Sequence, residues 1–184
     1  KLWIKKINKN PKKFYVLPKK VVGKTYTSKI NQLVDLLNKK KINLQFITAS
    51  ENVAWLLNIR GQDSDYTPMP NSYLAINNNK KIYLFCDLKK INHSFKKRFK
   101  DLKIIDIENT NLFLSQVKKK RISIDASSCS VCFENIIKKN NKIIEFLDPT
   151  FLLKSIKSKI EIKNSIKSHI QDGAALTKFL IWIK

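Results

Sequence analysis

The chain of 184 residues is 43% hydrophobic and 28% charged, so it can bury the core of one domain, and a disordered chain is excluded. Its 37 basic and 14 acidic residues give a formal net charge of +23. No apolar run approaches the roughly 20 residues of a membrane span, no signal-like segment opens the chain, and three cysteines give no disulfide framework. We therefore expect a cytoplasmic protein without a membrane partner.

The positive charge has two interpretations. A field of this strength attracts polyanions such as nucleic acid. However, the lysines are spread over almost every predicted helix and turn, and arginine, the usual residue for bidentate contacts to bases, occurs only three times. Lysine, asparagine and isoleucine are abundant together, as an AT-rich coding sequence produces. We therefore predict no specific nucleic-acid partner, and only non-specific adhesion at low salt.

The first 26 residues combine helix-breaking residues with lysines and scattered aromatic residues, namely Pro11, Pro18, Gly23, Trp3, Phe14 and Tyr15. We predict that they form an extended connection lying on a surface. A helix is predicted over residues 28–41, because four apolar residues recur there at i, i+3, i+4 and i+7: Ile30, Leu33, Val34 and Leu37. A buried strand, NLQFIT, is predicted over residues 43–48.

A central block, residues 42–79, contains no lysine, although 34 of the 37 basic residues are lysines. This block is therefore under a different constraint from the rest of the chain. Ser50 is the expected N-cap of a short helix, Glu51 suits the positive end of that helix, and the helix is predicted to end near Leu57. Gly61 is expected to adopt a positive φ just beyond it.

An irregular loop follows this short helix. Asp63 and Asp65 favour turns, and Pro68 and Pro70 keep the residues before them extended until the apolar run of residues 73–76 starts a strand. A loop of about a dozen residues inside a compact domain is usually functional or a mobile connection. These residue types predict a fixed shape.

Arg60 has two interpretations that the sequence leaves open. In the first, its planar guanidinium is required to bind a carboxylate or backbone carbonyls with two hydrogen bonds, a geometry that lysine lacks. In the second, it forms a structural bond to Asp63 or Asp65.

The remainder alternates between strands and helices. Strands at residues 71–76 and 81–87 are predicted to form a hairpin across an asparagine-rich turn. Helices then follow near residues 92–100, 110–119 and 130–140, and strands near residues 103–107, 121–125 and 142–147. This order predicts an α/β domain with a mixed, largely parallel sheet and helices on both faces, closed by Asp148 and Pro149.

The last predicted element is a long helix. Ser158 and Glu161 form a capping box, S-x-x-E, and open a helix that is predicted to run from Lys159 to the end of the sequence. One face of it carries Ile162, Ile166, Ile170, Gly173, Thr177 and Leu180. Because this helix outlasts the α/β unit, we predict that it begins a second domain.

Few residues carry a signal for chemistry. Cys129 and Cys132 form a C-x-x-C motif at a predicted helix start, where the helix dipole would lower a thiol pKa. Redox activity, a structural zinc site and ordinary packing cysteines are the alternatives, and Cys86, His93 and His169 have no ligand-like spacing. Metalloprotease, nucleophile-elbow and phosphate-loop motifs are missing. The sequence therefore predicts neither catalytic nor metal-binding residues in this segment.

Several of these stretches resemble the middle domain of aminopeptidase P, the Xaa-Pro aminopeptidases of the creatinase/prolidase "pita-bread" metallopeptidase family. The resemblance rests on residues 51–61, ENVAWLLNIRG, followed by Asp63, Tyr66, Pro68, Ser72 and Tyr73. Residues 154–161 and 168–182 resemble the start of the catalytic domain of that family, and Trp3, Pro11 and Pro18 resemble the linker after its first domain. The resemblance spans nearly the whole chain.

The resemblance implies a creatinase N-terminal-like fold with three parts. These are an inter-domain linker at residues 1–26, a non-catalytic α/β middle domain at residues 27–152, and the truncated start, an isolated first helix, of a pita-bread catalytic domain at residues 153–184. It also implies that the intact protein is a metallopeptidase that removes an N-terminal residue preceding proline. In that family two divalent metal ions, often manganese, activate water. Their ligand motifs do not occur in this sequence, so the segment alone is expected to be inactive.

The partners that the resemblance implies are peptides with proline in the second position, the protein's own catalytic domain and a second copy in a homodimer. Arg60, Asp63, Tyr66 and Tyr73 are the residues that we expect at the rim of the substrate entrance or at a domain interface. Two other classes of function stay open. The first is a scaffold that keeps the fold without metal ligands, and the second is a basic protein that binds polyanions.

Overall fold

The structure, a computed structural model, describes residues 11–184. Within them the strands are Tyr15–Val16 (β1), Leu44–Ile47 (β2), Ile59–Arg60 (β3), Ser72–Asn77 (β4), Ile82–Cys86 (β5), Leu102–Asp106 (β6), Arg121–Ile124 (β7) and Lys142–Glu145 (β8). The helices are Lys19–Val22 (α1), Tyr26–Lys39 (α2), Ser50–Leu57 (α3), His93–Arg98 (α4), Thr110–Gln116 (α5), Val131–Lys138 (α6), Thr150–Ser155 (α7) and Lys159–Trp182 (α8). Trp3, which we predicted in the first connection, lies outside the described residues.

The main sheet has six strands in the order β6-β5-β4-β2-β7-β8. Strands β5 and β6 pair in parallel, as do β2 with β7 and β7 with β8. Strand β4 is antiparallel to both of its neighbours, β2 and β5, so it is the one strand of these six that runs against the others. The predicted mixed, largely parallel sheet and its hairpin are confirmed.

Helices cover both faces of this sheet because successive strand residues point to opposite sides. On one face, side chains of β2, β4 and β5 pack under α2, α3 and α4, and Leu33, Leu56 and Phe95 belong to that cluster. On the other face, Phe46 and Phe85 pack under α5 and α6. The sheet is therefore the middle layer of three.

The segment before α2 is more structured than we predicted. The Phe14 side chain is buried against the Phe95 ring, with the two ring centroids 6.2 Å apart, and the Phe14 N–H donates to the Lys90 carbonyl at 3.0 Å. Strand β1 pairs with β3 in a second, two-stranded sheet. The prediction of an extended connection lying on a surface therefore holds for β1, but it is wrong for the helical α1 and for the buried side chains of Phe14 and Val22.

Two positions around α3 differ from the prediction. The N-cap is Ala49, not Ser50, which is already the first helical residue, and no side chain caps this end. At the other end Asn58, and not Gly61, takes the left-handed conformation, with φ 57° and ψ 33°. Asparagine tolerates this conformation because its short polar side chain forms local hydrogen bonds.

The chain leaves the α/β unit through α7 and α8. Asp148 does not close the unit as predicted, because its carboxylate accepts a hydrogen bond from the Thr150 N–H at 2.9 Å and starts α7, whose Leu153 packs against the core. The predicted capping box of α8 is present. Within residues 11–184, none of the helices combines the length and the apolar composition that crossing a bilayer requires.

Candidate functional site

The loop at residues 61–71 lies between β3 and β4, and its first contacts are made by Arg60. The Arg60 Nη1 donates to the carbonyls of Ala54, at 3.2 Å, and Ile59, at 2.8 Å. Burial lowers the Arg60 pKa, and the charge of Tyr15 opposes that effect. Both of these hydrogen bonds to backbone carbonyls come from one guanidinium nitrogen, and the carbonyl of Ala54 belongs to the last turn of α3.

Asp63 fixes the middle of this loop, and its partner is not Arg60. One carboxylate oxygen of Asp63 lies 2.5 Å from the Lys90 Nζ, and the other accepts a hydrogen bond from the Asn71 N–H at 2.6 Å. The Lys90 ammonium is buried and lies 5.6 Å from the centroid of the Phe14 ring. The alternative of a bond from Arg60 to Asp63 is wrong, because the paired Lys90 is contributed by the turn that follows β5.

Gly61 is needed for close approach of two backbone segments. Its φ is not positive, in contrast to the prediction, but a Cβ at this position would lie 2.7 Å from the Met69 carbonyl oxygen and 2.7 Å from the Pro70 Cα. The Gly61 N–H donates to the Pro68 carbonyl at 3.2 Å. The two ends of the loop therefore touch, which gives the loop the fixed shape that we predicted.

Tyr66 and Tyr73 occupy different parts of the molecule. Tyr66 lies in the turn between Ser64 and Thr67 with φ 64°, and its side chain is fully exposed. Tyr73 lies on β4 and packs edge-on against the Phe133 ring of α6, with centroids 5.2 Å apart. The structure thus brings Arg60, Asp63 and Tyr66 into one loop region and leaves Tyr73 in the core of the opposite sheet face.

The sequence analysis missed a buried ammonium group beside this loop. Lys29 of α2 is 1% exposed, and its Nζ donates to the Trp55 carbonyl at 2.8 Å and to the Asn58 Oδ1 at 2.6 Å. The Nζ also lies 4.0 Å from the centroid of the Trp55 ring. Burial lowers the Lys29 pKa to about 8, while the charge of Glu161 at the start of α8 favours the ammonium form. Lys29 therefore connects α2, the end of α3 and the beginning of α8.

A second buried polar network joins the sheet to α7. The Asp148 carboxylate accepts a hydrogen bond from the Asn52 Nδ2 at 2.7 Å, and the Lys154 Nζ donates to the Asn52 Oδ1 at 2.7 Å. The Asp148 N–H donates to the Asp125 carboxylate at 2.9 Å. Burial raises the Asp148 pKa. Burial also acts to raise the Asp125 pKa, but the hydrogen bonds that this carboxylate accepts from Asp148 and Ser127 outweigh burial and lower the pKa.

Two of the three cysteine thiols lie in surroundings that disfavour the thiolate. Burial raises the pKa of Cys129 to about 11 and that of Cys86 to about 12. His169 is exposed and lies 2.8 Å from the Ser165 carbonyl of its own helix. Across residues 11–184, no group of three or more His, Cys, Asp or Glu side chains has the arrangement that holds a metal ion.

Comparison with known proteins gives a family for this fold. The family profile described as "Creatinase/Prolidase N-terminal domain" matches residues 6–161. The chain is 31% identical over 173 residues to Xaa-Pro aminopeptidase 1 of Dictyostelium discoideum, a match that covers 92% of this chain and 27% of that protein. It is 30% identical over 169 residues to a Xaa-Pro aminopeptidase of Drosophila melanogaster, again over 27% of the relative. The chain thus spans about a quarter of the length of these curated relatives.

Solved structures agree with this result. An X-prolyl aminopeptidase from Caenorhabditis elegans, described as a cytosolic enzyme with a di-nuclear active site, superposes with a TM-score of 0.83 at 26% identity. The match covers 94% of this chain and 29% of the nematode enzyme. An isolated N-terminal domain of a metallopeptidase described as putative, from Corynebacterium diphtheriae, gives a TM-score of 0.51 at 19% identity and shows the shared fold alone.

Proposed function

The chain belongs to the creatinase/prolidase N-terminal domain family, and on that premise we propose that it is the non-catalytic middle-domain segment of a Xaa-Pro aminopeptidase. The intact enzyme would remove an N-terminal residue that precedes proline. One observation carries the proposal: the aligned region covers 92% of this chain but only 27% of a relative that bears this activity in its name.

The metal centre of the intact enzyme belongs to other residues in this proposal. The described residues do not fit a pair of divalent ions, because their buried carboxylates, Asp125 and Asp148, are already hydrogen-bonded to backbone N–H groups. The di-nuclear site named for the nematode relative supports two ions, for which we propose manganese, in the part of the protein beyond this segment. The same relative supports a cytoplasmic location.

We assign the segment a positioning role towards its own catalytic domain. Helix α8 exposes a series of large apolar side chains, including Ile166, Ile170, Phe179 and Trp182. Such a series is unfavourable in water and is the kind of surface that another domain covers. Arg60, Asp63 and Tyr66 would lie at the rim or at a domain interface, because their loop is exposed at its tip. Tyr73 stays part of this proposal, since it is partly exposed at the start of β4, next to the loop. Substrates would be peptides with proline in the second position, and a homodimer remains part of the proposal.

The first test is a peptidase assay on the full-length protein with manganese. We would compare a Gly-Pro-initiated peptide with its Gly-Ala counterpart and assay the 184-residue segment in parallel. Cleavage by the full-length protein alone, and only before proline, is the expected outcome. If folded, metal-loaded full-length protein cleaves neither peptide, the protein is a scaffold of the same fold and the enzyme proposal is wrong.

The second test concerns the proposed domain boundaries, at residues 26 and 152. The boundary at residue 152 falls inside α7, so we place the test further along, within α8. The contacts of α8 with the rest of the domain are at its beginning, where Ser158 lies against Gly23 and the Asn164 Nδ2 donates to the Lys20 and Val21 carbonyls.

Deletion of residues 165–184 should therefore leave a cooperative thermal transition within about 3 °C of the parent and a more soluble protein. Deletion of residues 156–184 removes the capping box and Asn164 as well, and should lower the transition further. Loss of the transition in the shorter deletion would show that the whole of α8 is integral to this domain.

A further inference from the structure

The topology gathers the basic residues at one edge of the main sheet. The five parallel strands begin at the same edge, since the register pairs Leu44 with Ile122 and Arg121 with Lys142, and also pairs Ile82 with Leu102. We define the amino edge as the segments before and at these strand starts, residues 39–41, 78–81, 100–103, 118–121 and 138–142. Fourteen of these 20 residues are lysine or arginine, and all fourteen side chains are exposed.

The opposite edge has the reverse charge. We define the carboxyl edge as the segments where these strands end and where β4 begins, residues 48–51, 61–72, 87–92, 106–110, 125–130 and 145–150. Nine of the 14 acidic residues of the chain lie in these segments, together with only two lysines, Lys89 and Lys90. At the amino edge Asp101 is the one acidic residue. Of the lysines that lie at either edge of the sheet, thirteen are therefore at the amino edge and two at the carboxyl edge.

Neither a bias in the coding sequence nor the capping of helix ends fully explains why lysine is so frequent at the amino edge. A cation at the end of a helix is favourable, but the effect is confined to the last turn, and three or four cations in one segment add mutual repulsion. Lys41, Lys80 and Lys119 have positive φ values of 55°, 62° and 54°. This conformation favours glycine and asparagine over lysine, and an AT-rich coding sequence supplies asparagine as readily as lysine. Lysine at these turns therefore adds positive charge at positions where asparagine or glycine would fit the backbone more easily.

The amino edge has the chemistry of a phosphate-binding surface. Its segments contain none of the exposed large apolar side chains that a membrane-inserting surface or the centre of a protein–protein interface requires. An open cleft of about 460 Å³ lies at this edge, and its lining includes Lys118, Lys120 and the rings of Tyr83 and Phe113, which pack against each other. The edge is roughly 24 Å wide, from six strands about 4.8 Å apart. Lysines beside aromatic rings are the combination that single-stranded nucleic acid uses.

We propose that the amino edge binds the phosphate backbone of single-stranded nucleic acid without sequence preference. The lysine ammonium groups would contact phosphates as point charges, and the carboxyl edge would repel the same strand and thus orient the protein on it. This surface is distinct from the loop of Arg60 and Asp63, which lies at the carboxyl edge. The proposal does not depend on peptidase activity, because the two functions would use opposite edges of the sheet.

The test compares two variants of equal net charge in the full-length protein. The edge variant carries Lys118→Gln, Lys120→Gln, Lys138→Gln, Lys139→Gln and Lys142→Gln, and thereby avoids the positive-φ positions. The control variant carries Lys19→Gln, Lys20→Gln, Lys159→Gln, Lys163→Gln and Lys167→Gln, which are also exposed but lie on α1 and α8. The probe is a fluorescein-labelled 20-nucleotide oligouridine, and binding is measured by fluorescence anisotropy between 50 and 200 mM KCl.

At 50 mM KCl we expect the edge variant to bind at least tenfold more weakly than the parent and the control variant less than threefold more weakly. The slope of log affinity against log salt should fall by about 3 for the edge variant, since each lost phosphate contact on a single strand is worth roughly 0.7. A mixed-sequence 20-mer should bind within twofold of oligouridine.

Three outcomes would overturn the proposal. Equal loss of affinity in both variants would show that only net charge matters. Displacement of the oligouridine by vesicles of phosphatidylserine and phosphatidylcholine at matched charge concentration, as effectively as by unlabelled RNA, would assign the surface to anionic membranes instead. Unchanged binding by an edge variant that retains the parent's thermal transition would show that the strand binds elsewhere.

Discussion

The two edges of the main sheet use charged residues in opposite ways. At the carboxyl edge, two carboxylates are paired and at least partly buried: Asp63 with Lys90 and the Asn71 N–H, and Asp148 with Asn52 and Thr150. At the amino edge, the fourteen cationic residues are all exposed. A buried charge without a partner strongly lowers the free energy of unfolding, whereas exposed charges contribute little to stability. The carboxyl edge therefore determines how the domain folds, and the amino edge determines which molecules it attracts.

The strongest test of this comparison is Asp148→Ala at the carboxyl edge. The substitution leaves the buried Asn52 amide and the Thr150 N–H without their acceptor, so we expect the free energy of unfolding to fall by about 3 kcal/mol. Urea denaturation monitored by circular dichroism measures this change. Glu145→Ala, at the same edge but exposed, is the matched control and should change stability by less than about 0.5 kcal/mol. Similar effects for both variants would contradict the distinction between buried and exposed carboxylates.

Gly61→Ala tests the rigid loop at the same edge. The new methyl group would lie 2.7 Å from both the Met69 carbonyl oxygen and the Pro70 Cα, so the loop must shift, and we expect a loss of about 2 kcal/mol. Gly173→Ala in α8 is the control, because no atom lies within 4 Å of a Cβ there, and helix propensity favours alanine by about 1 kcal/mol. Thermal denaturation should therefore show a lowered transition for Gly61→Ala and a transition near that of the parent for Gly173→Ala.

Lys29→Met compares a buried lysine with the exposed ones. The folded-state pKa of Lys29 is about 8, below its ordinary value of 10.5, so between these values the unfolded chain binds more protons than the folded chain. Stability therefore rises with pH across that window. Relative to Lys29→Met, we expect the parent to gain about 2 to 3 kcal/mol between pH 8 and pH 10.5. Denaturation curves at several pH values measure the difference.

The control for Lys29→Met is Lys120→Met, which removes an exposed cation of the amino edge at the same change in net charge. Parallel profiles for the parent and Lys29→Met would show instead that the buried ammonium group does not titrate in this range.

The smallest expected effect is at the amino edge itself. Lys118→Gln and Lys138→Gln remove exposed cations that make no described ion pair, and each should change the free energy of unfolding by less than about 0.5 kcal/mol in either direction. Chemical denaturation at 150 mM salt checks this. A loss of more than about 1 kcal/mol from either substitution would show that this edge contributes to folding as well.

The fold follows from local sequence signals more completely than the candidate site does. Periodicity located the helices and strands of residues 28–147, and the S-x-x-E box located the start of α8, because both signals depend only on neighbouring residues. The predicted hairpin pairs β4 with β5, and in the structure β4 also pairs antiparallel with β2. The strand order itself depends on which apolar faces fit together, and a local pattern does not report that.

The candidate site depended on contacts between distant residues. Asp63 is paired with Lys90, which is 27 positions away, and the sequence suggested the nearer Arg60. Lys29 had a signal that was not used: it lies four residues before Leu33 and so shares the apolar stripe of α2. The segregation of charge could be found only once the topology placed five separate segments at one edge. In each case the missing information was the pairing of elements, not the identity of the residues.

Helix α8 has a mechanical consequence. Its 24 residues span about 36 Å at 1.5 Å per residue, and its contacts with the domain are concentrated near Ser158 and Asn164, within its first turns. Because the helix is attached at its beginning, a small rotation there displaces its far end by a larger distance. A rotation of about 5° at the Ser158 cap would displace Trp182 by about 3 Å over that length. The contact between α1 and α8 thus sets the direction of α8, and a side chain added at Gly23 would change that direction.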